Sequence, residues 1–252
     1  MNDKSQVADG RYLYAILGDA SGRELGPLGV GGGLVYCLGN GKVSAVVSDV
    51  PNRKIRPERR NLAAHQSVLK ALMADTTPLP MAFGIIADGP TAIQKILSEN
   101  QKVFLEELQR VDDKVEMGVR VTWDVPNIFE FFVNKHPELR SVRDRFFGTN
   151  REPSQEDMIE VGRTFDRILN ADREEHTDAI LEMLAPHCHE IKVNSPRAER
   201  VVANLACLVG RGNQAEFEKG VFKAAGAFDN NYAFDYNGPW APHNFVDIEL
   251  NL

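Results

Sequence analysis

Residues Arg200 to Val209 read RVVANLACLV, and this run constrains the fold more tightly than any other in the chain. Taken as a strand, it puts Val201, Ala203, Leu205, Cys207 and Val209 on one face and Val202, Ala206 and Leu208 on the other. A strand apolar on both faces belongs in the middle of a sheet, with something packed above and below it. Gly210 and Gly212 end it. Upstream, Lys114 to Asp124 alternates strictly. Val115, Met117, Val119, Val121 and Trp123 fall on one side, and Glu116, Gly118, Arg120, Thr122 and Asp124 on the other. That is the pattern of a half-buried strand.

The segments around these two runs complete a pattern. Pro126 opens a helix through Val133, and Pro137 opens another through Phe147. Gly148 and Pro153 lie in a loop that leads to Ser154, an N-cap with Glu156 and Asp157 in the first turn. The long helix that follows carries Met158, Gly162, Phe165, Leu169, Asp172, His176, Ala179, Ile180 and Met183 on one face to about Leu184. His189 to Val193 is a strand, turning at Asn194 to Pro196 into the central run. Gln214 to Phe228 is a helix with Phe217, Val221, Phe222 and Ala225 inward. Asn231 to Asn237 is a last strand with Tyr232, Phe234 and Tyr236 on one side. The order is β-α-β-β-α-β, a split βαβ or ferredoxin-like pattern with extra helices in the first crossover.

The first half is organised differently. Arg11 to Leu17 (RYLYAIL) is a strand, and Gly18 to Gly33 a glycine-rich connection. Leu34 to Leu38 and Val43 to Val50 form a hairpin about Asn40-Gly41. Arg59 begins a helix whose stripe is Leu62, His65, Leu69 and Leu72, widened by Val68 and Met73. Thr76, Thr77, Pro78 and Pro80 stop it, and the apolar run Leu79 to Ile86 is expected to be a core strand. Thr91 to Leu97 and Gln101 to Val111 are helices. Beyond Asn237 the tail holds Asn237-Gly238-Pro239-Trp240-Ala241-Pro242, a rigid turn. Phe245 to Leu250 then alternates, either packing back as a strand across the two domains or donating a strand to a partner. The expectation is an α+β chain of two domains. Residues 1–112 form an N-terminal mixed α/β domain, and residues 113–237 a ferredoxin-like domain with a helical insertion. Residues 238–252 form a C-terminal tail packing on the domains or on a partner.

Charge and composition bound the function. A formal charge of -7 argues against a nucleic-acid partner, which calls for a basic face. The only clustered basic run is Arg56, Arg59 and Arg60. Cys37, Cys188 and Cys207 are odd in number and contain no CxxC pair, which fits a reducing interior. The polar N-terminus, MNDKSQVADG, has no apolar signal-peptide region, and no stretch approaches the roughly 18 apolar residues of a bilayer span. The expectation is therefore a cytosolic chain.

Four groups could carry chemistry. The run Gly29 to Gly33 invites a phosphate-loop reading, but it lacks the GxxxxGK[ST] spacing and leads into a strand rather than a helix. A turn or linker is the favoured reading. His65 has no carboxylate or cysteine at a spacing that would make a catalytic pair. His187-Cys188-His189 holds three metal-ligand types with no further pair to complete a tetrahedral set. Asp172 and His176, four apart, could hydrogen-bond, but no nucleophile accompanies them. No catalytic residue, cofactor site or metal site is assigned.

One further signal lies in the order of several segments. YLYAIL at Tyr12 to Leu17, AVVSDVP at Ala45 to Pro51, RRNLAAHQSVL at Arg59 to Leu69, LPMAFG at Leu79 to Gly84, VEMGVRVTW at Val115 to Trp123 and NGPWAPHNFVDI at Asn237 to Ile248 together resemble the gas vesicle protein F/L family. The resemblance covers nearly the whole chain. It implies a non-enzymatic accessory or minor structural protein of gas vesicle formation. Such a protein contacts the small hydrophobic shell subunit and other accessory proteins, with no nucleic acid and no lipid membrane. It would be a cytoplasmic, shell-associated protein. Within the matching motifs, Arg59, Arg60, His65, Phe83, Trp240 and Phe245 are chemically suited to an interface. The competing readings are a small-ligand module on the ferredoxin-like sheet and an enzyme using His65 or the Asp172/His176 pair.

Overall fold

The first sheet is built on one strand. β1 (Gly10–Gly18) places Tyr12, Leu13, Tyr14, Ala15 and Ile16 fully out of contact with solvent. It pairs antiparallel with β4 (Val43–Val50), and the register slips between Leu13↔Val47 and Ala15↔Val46. Leu13 and Ile16 therefore both reach the same core although they are three residues apart. A regular strand, with its period of two, could not send them to one face; the extra residue of a bulge supplies the change of phase. The computed structural model describes residues 9–147 and 154–250. Among these the chain divides into two compact units. One is formed by residues up to Glu116 together with those from Gly238 onward, the other by Met117 to Asn237.

In the first unit the sheet order is β2 (Glu24–Gly26), β3 (Val35–Gly39), β4, β1 and β5 (Leu79–Pro80), with β6 (Ile86–Ala87) also paired to β1. The hairpin between β3 and β4 turns at Asn40-Gly41. Asn40 Oδ1 accepts from the amides of Lys42 and Val43, and Gly41 takes a φ of +85° that a side chain would strain. One face of the sheet sends Leu13, Ile16, Val43, Ala45 and Val47 into a core with Ile93, Ile96 and Leu97 of α2 (Gly89–Glu99) and Phe104 and Val111 of α3 (Gln101–Val111). The other face carries Tyr12, Tyr14 and Ser48, and α1 (Arg59–Leu72) lies against it through His65, Val68, Leu69 and Leu72, whereas Leu62, expected on the same stripe, is 41% exposed.

Three expectations for this unit are corrected. Leu79 to Ile86 is not one strand; only its two ends pair with β1. Between them the chain arches around the Tyr12 ring, because Met81 N bonds to Tyr14 O, Gly84 N to the Tyr12 hydroxyl and Ile85 O to Leu13 N. Gly84 permits the arch with a φ of +94°. Phe245 to Leu250 forms no strand either. Its alternation is nonetheless used, since Val246, Ile248 and Leu250 pack against the α2/α3 core while Asp247 and Glu249 stay exposed. The Gly18–Gly33 connection holds β2 and a short 3-10 turn, Val30–Gly32.

The strands of the second unit form a four-stranded sheet in the order β10 (Tyr232–Trp240), β7 (Lys114–Trp123), β9 (Val201–Gly210) and β8 (Glu190–Val193), with residues 114–116 of β7 and 238–240 of β10 counted in the first unit. Met117, Val119, Val121 and Trp123 of β7 are buried, and so is all of β9 from Val201 to Val209 except Asn204. Between β7 and β8 come α4 (Ile128–Lys135), α5 (Pro137–Phe147) and α6 (Gln155–Leu184). α4 starts two residues later than Pro126 suggests, because the side chain of Asn127 caps it by accepting from Glu130 N. α6 starts at a complete capping box: Ser154 Oγ accepts from Asp157 N and Asp157 accepts from Ser154 N. Its packed face holds the expected Phe165, Leu169, Asp172 and Ile180, joined by Val161, Ile168, Thr177 and Leu184, but not the first turns of the expected stripe: Met158 is 54% exposed and Gly162 faces solvent. α7 (Gln214–Ala225) buries Phe217, Gly220, Val221 and Ala224, and Phe222 points outward. The fold as a whole is mixed α+β with seven α-helices among the described residues.

Candidate interaction site in the first unit

α1 begins without the usual polar cap. Glu58 occupies the N-cap position, but its side chain accepts no hydrogen bond from the helix amides, and the first turn holds no acidic residue. Arg59 and Arg60 instead add positive charge to the positive end of the helix dipole. Both are exposed, and Arg60 pairs with Glu58 at 2.9 Å. Asn61 anchors the approach by donating from Nδ2 to Arg56 O at 3.0 Å.

One turn further on, His65 is buried and assembles a polar aromatic group. Its Nδ1 lies 3.0 Å from the Tyr12 hydroxyl, which also accepts from Gly84 N at 3.0 Å. With an amide proton already directed at its oxygen, the phenol gives its own proton to Nδ1. The neutral imidazole then carries its hydrogen on Nε2, a buried atom with no hydrogen-bond partner. Burial, with the nearby His243 adding to it and the Met81 backbone opposing, pulls the His65 pKa down to about 4. Burial likewise pushes the Tyr12 phenol up to about 12. Tyr14 closes the group, its hydroxyl 2.8 Å from Ser48 Oγ while it accepts from Val30 N at 2.8 Å. Phe83 stands edge-on to both Tyr12 and His65 at 5.9 Å between ring centres, and it remains partly exposed.

The structure therefore brings His65 and Phe83 together and places Arg59 and Arg60 on the exposed start of the same helix. His65 is neutral at physiological pH and bonded to a phenol, so its geometry ties α1, β1 and the Met81–Ile85 arch into one piece. From the sequence, the tyrosines that do this tying are simply strand residues. The signal that could have found them is their i, i+2 spacing within an aliphatic run, which aligns two hydroxyls that need partners once buried.

The tail enters the same unit. Asn244 donates from its amide N at 2.8 Å and from Nδ2 at 2.6 Å to the two oxygens of Glu116, a carboxylate only 7% exposed. Arg110 donates to Phe245 O and pairs with Glu107 at 2.7 Å. Phe245 is 1% exposed, so it is a packing residue of this unit, whereas Trp240 at the end of β10 is 45% exposed. Glu116 sits among the residues expected to face water, and no local pattern distinguishes it from the others.

The remaining sequence candidates lie apart. The amides of Gly29, Val30, Gly32 and Gly33 are all engaged within the unit, three of them in the loop's own turn, so they form no phosphate cradle. Asp172 and His176 do not pair with each other. Asp172 accepts from Lys135 Nζ at 2.8 Å and lies 3.0 Å from His136 Nε2, while His176 Nε2 lies 2.7 Å from the Tyr232 hydroxyl. No group of three potential metal ligands occurs among the described residues. His187 instead packs its ring where Gly220 leaves room; a Cβ there would lie 2.5 Å from the imidazole.

Against known proteins, the family model described as "Gas vesicle synthesis protein GvpL/GvpF" matches residues 10–247. A gas vesicle protein F from Nostoc sp. is 26% identical over 96% of this chain and 100% of its own length. One from Streptomyces sp. is 32% identical over 84% of this chain and 88% of its own. Among solved structures, the gas vesicle protein GvpF from Anabaena sp. superposes with a TM-score of 0.83 at 26% identity, covering 96% of this chain and 99% of that one. GvpF from Microcystis aeruginosa superposes with a TM-score of 0.78 at 22% identity, over 95% and 100%.

Proposed function

The chain belongs to the gas vesicle synthesis protein GvpL/GvpF family, and from that membership we propose that it is a non-enzymatic accessory protein of gas vesicle formation. It acts by contact with the small hydrophobic shell subunit and with other accessory proteins, in association with the vesicle. The observation that carries the shell contact is the surface left open over a tightly tied interior. Leu62 (41% exposed), the partly exposed Phe83 and Trp240 (45% exposed) offer apolar area in the first unit, with Arg59 and Arg60 beside the first of these on α1. Exposed aromatics and arginines on a rigid base are suited to an interface because little conformational entropy is lost on docking. No helix among the described residues is long and apolar enough to cross a membrane.

We read residues 1–112 as the N-terminal α/β domain, 113–237 as a ferredoxin-like domain with α4 and α5 inserted in its first crossover, and 238–252 as a tail. The strand order β10-β7-β9-β8 supports the ferredoxin-like reading, since it sets the first and third strands of the region centrally.

The test is capture of purified shell subunit by the purified chain, repeated with Trp240→Ala and Phe83→Ala. Both changes leave most of the core untouched, so the variants are expected to stay folded and to lose capture severalfold. If the folded native chain captures nothing, alone or with the other accessory proteins present, direct shell contact is wrong.

A further inference from the structure

An open cleft of about 1000 Å³ lies in the first unit beside the start of α1, walled on one side by Gly29–Gly33 and on the other by the arm from Arg53 to Arg60. Its charge is lopsided. Arg53, Lys54, Arg56 and Arg60 line it, against Asp49 and Glu58. Both carboxylates are already engaged, Asp49 by Arg11 at 3.2 Å and by the Tyr36 hydroxyl at 2.6 Å, and Glu58 by Arg60. Arg53, Lys54 and Arg56 have no ion-pair partner among the described residues, in a chain whose formal charge is -7. Arg60, which also lines the cleft, stands with Arg59 at the positive end of α1, whose first turn carries no acidic residue. This arrangement costs electrostatic free energy in the free protein, and an anion in the cleft would repay it from both sources at once.

We propose that the cleft docks a carboxylate-rich segment of a protein partner, laid along the Arg53–Arg60 arm. Three features favour an acidic peptide over a phosphorylated small molecule. The amides of Gly29, Gly32 and Gly33 are turned into the loop's own hydrogen bonds and that of Val30 into the Tyr14 hydroxyl, so they are not free to wrap a phosphate. No aromatic side chain lines the cleft for a base to stack on. The half-buried Pro51 and Ile55 supply apolar contact between the cations, as an extended peptide requires. The contact shares Arg60 with the shell surface proposed above but is carried and tested by Arg53, Lys54 and Arg56, and it does not depend on that reading.

A fluorescence-anisotropy titration with a labelled oligo-glutamate peptide tests this. The native chain should bind it, and the affinity should fall steeply as NaCl rises from about 50 to about 300 mM, because exposed charge pairs are screened. The Arg53→Ala, Lys54→Ala, Arg56→Ala triple variant should lose at least tenfold in affinity with an unchanged melting curve. A control variant neutralising Arg163, Arg197 and Lys223 should lose little. Should the triple variant melt early, the single Arg56→Glu reversal carries the same expectation. Absence of binding by the folded native chain, or equal losses in the two triple variants, overturns the proposal. So does displacement of the peptide by pyrophosphate at lower concentration than by unlabelled peptide, which would make the cleft a phosphate site.

Discussion

At the scale of single residues, His65 decides how the first unit responds to acid. Its imidazole must stay neutral to accept from Tyr12, and its pKa lies at about 4 in the folded chain against 6.5 for a free side chain. Between those values the unfolded chain binds a proton that the folded chain refuses. Stability is therefore highest above about pH 6.5 and declines as pH falls toward 4. The shift sets an upper limit on the order of 3 kcal/mol for the loss. His65→Gln keeps a hydrogen-bonding side chain but cannot titrate, so the drop in urea midpoint between pH 7 and pH 5 should shrink in this variant. An equal drop in both proteins would show that other groups govern the acid response.

At the scale of elements, the tail shows how irregular chain can be held as firmly as a strand. Its apolar residues reach the α2/α3 core, and its backbone is held by Glu116 and Arg110 instead of by a ladder. A hydrogen bond to a charged group contributes about 1.5–3 kcal/mol net, and the low end applies here because water can reach the exposed Asn244 once the carboxylate is gone. Glu116→Ala should thus speed amide hydrogen exchange across residues 243–250 at least tenfold, while the β8/β9 hairpin keeps its protection. Unchanged exchange in the tail would mean that apolar packing alone holds it. The contrast with α6 is instructive. That helix carries its own start signal in the Ser154–Asp157 capping box, so its beginning is local information, whereas which stripe it buries depends on the elements beneath it.

At the scale of the whole molecule, the first unit is completed by both ends of the sequence. A chain ending at Asn237 lacks Phe245, Val246, Ile248 and Leu250, all of which belong to that unit's interior. Exchange protection in β1, β4 and α2 should fall in the truncated chain, and protection in β9 should persist. Trp123, buried in the second unit, would be the one tryptophan left and should retain its native fluorescence. Cooperative loss of both sets of signals would contradict this division of labour.

What the sequence determined by itself is what local chemistry can settle. The alternation of 114–124, the two-faced run 200–209, the Asn40-Gly41 turn and the Ser154 cap each appear in the structure, because period, turn conformation and capping act over a few residues. The ordered motifs likewise identified the family. The candidate site is legible only in part: His65 and Phe83 are drawn together, while Phe245 is interior and the roles of Tyr12, Tyr14, Glu116 and Asn244 are set by partners far along the chain. Tertiary structure alone decided the bulge that sends Leu13 and Ile16 to one core, the arch replacing a strand at 81–85, the exposure of Met158 and Phe222, and the burial of Glu116. In each case the outcome depends on a partner far along the chain. Whether an apolar run forms a ladder, or a carboxylate leaves water, is set by the groups that three-dimensional packing brings to it.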